Sequence, residues 1–146
     1  MENTKKKAPR TETYGIAIAK RQDGAGDYDF EFTSGDKDRI ECHNHGHDGL
    51  LMSFVIDEEK NEPDLRFPVD AADALCVRTV SKDDDPCPKP GDTWEQFVPL
   101  LVAPTRNILI VENKNKGKNK YKFALNFVEP GGKAVSWDPI GENRNG

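Results

Sequence analysis

A strict two-residue period of apolar side chains constrains this chain more than any other feature. In residues 120–128, Tyr121, Phe123, Leu125 and Phe127 fall on one side of an extended backbone. Lys120, Lys122, Ala124 and Asn126 fall on the other. A helix would scatter that set around its axis, whereas a strand puts it on one face. The same alternation runs through residues 14–20 (Tyr14, Ile16, Ile18) and 28–33 (Tyr28, Phe30, Phe32). Residues 50–57, 75–81, 98–103 and 107–113 are further strand candidates. Residues 108–111 are apolar at every position, which predicts a central strand covered on both faces. Ile108 and Ile110 are assigned to the core with Met52, Phe54, Ile56 and Val77. Pro99 assigns its strand to an edge or a bulge.

Turn residues separate these runs. Residues 23–27 (Asp-Gly-Ala-Gly-Asp) divide the first two strands, and Glu129-Pro-Gly-Gly132 closes a hairpin after residue 128. Glycine supplies positive φ and proline sets the turn entry. Only residues 69–75 and 93–97 have helical character, each for a turn or two. Eight to ten short strands with turns at close intervals predict an all-β, immunoglobulin-like antiparallel β-sandwich rather than a barrel. One such domain spans residues 12–140, with a disordered basic tail over 1–11 and a flexible tail over 141–146. A faint internal echo accompanies it. Residues 40–57 and 109–128 each read as a strand ending in Asn, a polar loop and a returning strand.

With 35% hydrophobic and 32% charged residues among 146, the chain holds no apolar run long enough for a bilayer. Lys5, Lys6, Lys7 and Arg10 precede no apolar stretch of the kind a signal peptide needs. Three cysteines, Cys42, Cys76 and Cys87, fit a reducing, cytoplasmic setting and free thiols, with a Cys76–Cys87 pair as the alternative.

All three histidines lie together at His43, His45 and His47, followed by Asp48. On a strand these imidazoles point the same way and can share one zinc, copper or nickel ion, with Asp48 adding an oxygen. The same parity puts them on the solvated face, and Asp48-Gly49 is a good two-residue hairpin turn. The blander reading is therefore a hairpin leading into residues 50–57, with no cofactor. The loop 114–122 carries five lysines and no acid. Such charge attracts phosphate or nucleic acid. Its one aromatic, Tyr121, points inward by parity, so nucleic acid is disfavoured and a solvated hairpin loop is expected. Acidic runs at 57–59 and 83–85 lack the EF-hand layout and read as solvated turns. Trp94 and Trp137 each sit beside turn residues. Such tryptophans cap a sandwich core or, next to aspartate, form a sugar-binding face.

Residues 107–143 carry a Phe-x-Leu-x-Phe strand at 123–127, Glu129-Pro130 with a Gly-Gly turn, and Trp137-Asp138-Pro139-Ile140 before Asn143. In these features the segment resembles the DP-EP family of small bacterial proteins of unknown function. It is similar, more loosely, to inclusion-body proteins of the PixA type, small sandwiches that can bind sugar. Neither resemblance implies a reaction or supplies catalytic residues. No nucleophile elbow, phosphate loop, dinucleotide fingerprint or zincin helix occurs. The expected role is a non-enzymatic binding or assembly module whose partner is a protein, a small ligand or a second copy. Metal binding through His43, His45 and His47 and carbohydrate binding through Trp94 or Trp137 are the alternatives.

Overall fold

The alternating segment becomes β8 (Asn119–Val128), which buries Tyr121, Phe123, Leu125 and Phe127 completely. The computed structural model describes residues 10–21, 28–43, 49–82, 85–89 and 91–144. Among the described residues there are nine other strands. They are β1 (Arg10–Lys20), β2 (Tyr28–Phe32), β3 (Arg39–His43), β4 (Leu50–Asn61), β5 (Leu75–Thr79), β6 (Phe97–Val102), β7 (Ile108–Asn113), β9 (Ala134–Trp137) and β10 (Ile140–Arg144). A single 3-10 turn, Ala71–Asp73, is all that forms from the segment with helical character at 69–75.

The strands make two sheets. One has the order β2-β1-β4-β7-β6; the other has β3-β10-β8-β5, with β9 also paired to β8. Their inner faces share one core, in which Phe54 of β4 meets Phe123 of β8 at a centroid distance of 5.8 Å. The all-β sandwich of about ten strands is thus the fold of this chain. Each sheet also holds a parallel pair, β1 with β4 and β3 with β10, so the sheets are mixed rather than antiparallel throughout.

Local chemistry explains several elements. The turn after β8 closes as expected, with Glu129 N–H donating to Lys133 O at 2.9 Å and Gly132 at φ 97°. Gly132 occupies a conformation that other L-residues rarely adopt. Pro99 lies on β6, the last strand of its sheet, beside a register shift between Pro99 and Leu101. Along β1 and β4 the register passes from Ile16↔Ile56 to Ile18↔Asn61. Residues 57–60 therefore bulge out of the ladder, as strands often do near a sheet rim.

Several expectations need correction: residues 57–59, expected as turns, lie within β4, and residues 93–97, expected to have helical character, form no helix. Residues 10–11 belong to β1 and residues 141–144 to β10, so neither set is tail. The histidine segment does not lead through a hairpin, because β3 and β4 lie in different sheets. The lysine segment is no hairpin loop either, because β7 and β8 also lie in different sheets. The two echoed units are thus the same event, a strand crossing from one sheet to the other. Finally, β7 buries Leu109 and Val111 completely, while Ile108 and Ile110 are only half-buried on the outer face.

Candidate binding cleft

At the end of the sandwich where β1 and β4 finish and β2 begins, aromatic side chains from both sheets pack together. Trp137 of β9 stacks on Phe30 of β2 at 5.5 Å and 11°, and tilts against Phe32 at 4.7 Å. Phe30 also stacks on Phe127 at 5.2 Å. Strand parity puts Phe30 and Phe32 on the inner face, and the edge position of β2 leaves Phe30 half-buried.

A cleft of about 480 Å³ opens beside this stack. Tyr28, Phe30, Val135 and Trp137 form its apolar wall, and Arg21, Glu129, Lys133, Ser136 and Asp138 its polar rim. The volume falls in the usual range for small-molecule sites, ~300–1,000 Å³. The Tyr28 hydroxyl donates to Glu129 Oε2 at 2.5 Å, tying β2 to the end of β8. That bond is the main reason the phenol is held above its ordinary pKa, followed by burial. Glu129 has acceptor capacity beyond this one bond. Burial raises the Asp138 carboxyl, and a hydrogen bond with the Cys87 thiol and the charge of Lys122 partly offset the rise.

A second cleft of about 620 Å³ lies on the other side of Phe30, between the β4 bulge and the β1–β2 pair. Its rim carries Asp29, Glu31, Glu58, Glu59 and Glu62. Three of these are neutralised, by Arg21 at 3.3 Å, Lys37 at 3.6 Å and Arg66 at 2.5 Å respectively. The aromatic cleft is the better defined of the two, because its wall and its rim both offer chemistry that selects a ligand.

The two tryptophans do not share a site. Trp94 stacks on Phe97 at 5.6 Å and packs against Tyr121 at 5.4 Å, around residues that Trp137 does not touch. Trp94 is a half-buried cap on the core. Of the histidine group, His43 is half-buried at the end of β3, with Nε2 3.7 Å from Glu41 Oε2. His45, His47 and Asp48 lie outside the described residues. Among the described residues no three His, Cys, Asp or Glu side chains gather around one point. Asp83 and Asp84 are likewise outside them. Asp85 caps its own loop, accepting from the backbone N–H of Ser81 at 2.7 Å and of Lys82 at 3.2 Å.

A polar cluster that periodicity could not reveal lies between the sheets at the opposite end. Asn113 of β7 and Asn143 of β10, both fully buried, exchange amide hydrogen bonds of 2.8 and 2.9 Å. The Cys42 thiol sits nearby, 3.5 Å from the Tyr121 hydroxyl and 3.7 Å from that of Tyr14. Burial is the main cause that raises the pKa of all three groups, which disfavours the thiolate form of Cys42. Its sequence signal is two asparagines at strand ends, which read equally well as turn residues.

No protein-family model matches the chain, and no curated protein matches it. The resemblance of residues 107–143 therefore rests on the residues that carry it.

Proposed function

We propose that this chain is a non-enzymatic binding module, and that the cleft between β2 and β9 takes a small polyhydroxylated ligand of the carbohydrate class. One observation carries the reading. Two edge strands from different sheets bring Tyr28, Phe30 and Trp137 together against a rim holding two carboxylates, Glu129 and Asp138. Sugars present an apolar face of C–H groups and a girdle of hydroxyls. An aromatic wall with adjacent carboxylates, a hydroxyl and cationic donors matches both.

Intrinsic tryptophan fluorescence tests the reading. A panel of mono- and oligosaccharides titrated into the Trp94→Phe variant, which keeps Trp137, is expected to give a saturable shift. In Trp137→Ala, affinity measured by calorimetry should fall about tenfold, the equivalent of ~1.4 kcal/mol. A panel that produces no saturable change, or binding that survives Trp137→Ala intact, overturns the assignment. The metal alternative rests on His43, His45, His47 and Asp48, and elemental analysis of untagged protein decides it.

A further inference from the structure

The lysine segment between β7 and β8 is built as a rigid element. Asn115 holds φ 48° and is almost fully buried. Its backbone N–H donates to Asn113 Oδ1 at 3.0 Å, and its Nδ2 donates to Cys42 O at 3.0 Å and Arg144 O at 3.4 Å. Gln96 clamps the next residue from both sides: Lys116 N–H donates to Gln96 Oε1 at 2.7 Å, and Gln96 Nε2 donates to Lys116 O at 3.0 Å. Asn119 Nδ2 adds a bond to the same carbonyl at 3.2 Å. Four strands and one turn therefore fix the path of a segment whose composition alone reads as solvated.

A groove of about 380 Å³ runs between this segment and β10. Lys118 and Lys120 form one wall and Arg144 the other, with Asn119 and Asn143 between them. Glu142 stands in the groove as well, 2.7 Å from Arg144, and Glu41 lies 3.7 Å from the same guanidinium. Those two carboxylates orient Arg144 and offset part of the local charge. Lys114 and Lys116 are exposed on the same segment, which contains no acid. The molecule as a whole has a net charge of −5, so this positive field is a local construction.

We propose that this groove binds an oligophosphate group. Ammonium and guanidinium donors arranged on fixed backbone suit a compact, multiply charged anion, because their hydrogen bonds to it are charge-assisted. Rigid presentation removes the ordering cost that a free lysine loop would incur on binding. A nucleic acid strand is the poorer fit, because no aromatic side chain lines the groove to stack a base. The site lies at the opposite end of the sandwich from the aromatic cleft and does not depend on it.

The test is calorimetric titration with sodium tripolyphosphate at constant ionic strength. Saturable binding is expected in the parent protein and in Lys20→Ala, whose lysine is far from the groove. Affinity should drop at least tenfold in Lys118→Ala/Lys120→Ala, and also in Arg144→Gln, with an unchanged circular-dichroism melt confirming that each variant is folded. Co-sedimentation with vesicles containing diacylglycerol pyrophosphate, a lipid with a diphosphate headgroup, separates the two sources of such a group. Sedimentation lost in the lysine variant identifies a lipid headgroup, and tripolyphosphate binding without sedimentation identifies a soluble ligand. Absence of both, or equal affinity in Lys118→Ala/Lys120→Ala, overturns the proposal.

Discussion

Asn113 and Asn143 are the residues whose loss should be most out of proportion to their size. Each amide satisfies the other in a fully dry position, and Asn113 also accepts from the Asn115 backbone. Truncating one leaves a buried donor and acceptor unmet, at a cost of about 1–3 kcal/mol. Asn113→Ala should lower stability by that amount in urea melts. The double change Asn113→Leu/Asn143→Leu should cost less than the two single leucine changes added together, because neither side then keeps an unmet amide. Additive costs would show that the pair is not coupled. Gly141 makes a similar point about space. A Cβ built there overlaps the ring of Tyr121, which is completely buried, so only glycine lets β10 pass this close to β8.

Among the elements, β8 was the most legible in the sequence and β7 the least. In β8 every second residue is polar or small until the core face is unmistakable. In β7 four consecutive apolar residues satisfy either parity. What decides between them is Asn113 at the strand end, whose bond to Asn143 turns Leu109 and Val111 inward. Leu65 and Phe67 are fully buried from a segment outside the named strands, whose β-pairing is the isolated bridge Arg66↔Val128, so no period marks them. The cleft was half legible: Trp137 was a candidate, but Tyr28 and Glu129 join it only through contacts across the sheets. The 81–89 loop gives an element-scale prediction. Lys122 Nζ donates to Asp85 O at 2.6 Å, and the Asp85 carboxylate takes the Ser81 and Lys82 N–H groups. The backbone bond from Ser81 is the main cause that lowers the Asp85 pKa, followed by that from Lys82. The unfolded chain therefore takes up this proton first as pH falls. The contribution is complete above the ordinary carboxylate range and is lost as pH drops through the depressed value. Asp85→Asn should flatten that acid limb in denaturant melts at graded pH, and an unchanged limb would refute the assignment.

For the whole molecule, the sandwich sets which thiols chemistry can reach. Cys42 and Cys76 are buried, Cys87 is exposed, and all three are free. Short iodoacetamide exposure followed by mass spectrometry should mark Cys87 alone in the native state. All three should react once the sheets separate in denaturant. Rapid native labelling of Cys42 would contradict the closed core. The three large hydrophobic side chains left exposed among the described residues, Val69, Leu100 and Leu101, lie away from both clefts. The wall of the aromatic cleft, by contrast, packs against the core through Tyr28, Phe30, Val135 and Trp137, so a change there is read beside a stability melt.

The positions of β1 and β10 bear on how the chain comes to be folded at all. β1 lies between β2 and β4, and β10 lies between β3 and β8. Among the described residues, the first and last strands are interior members of their sheets. β3 is complete by His43, yet its partner begins at Ile140, roughly a hundred residues later. During synthesis the second sheet has a gap at its centre until the final strand has left the ribosome. Closing that gap joins segments far apart in the chain, so the second sheet is completed by a late, long-range step.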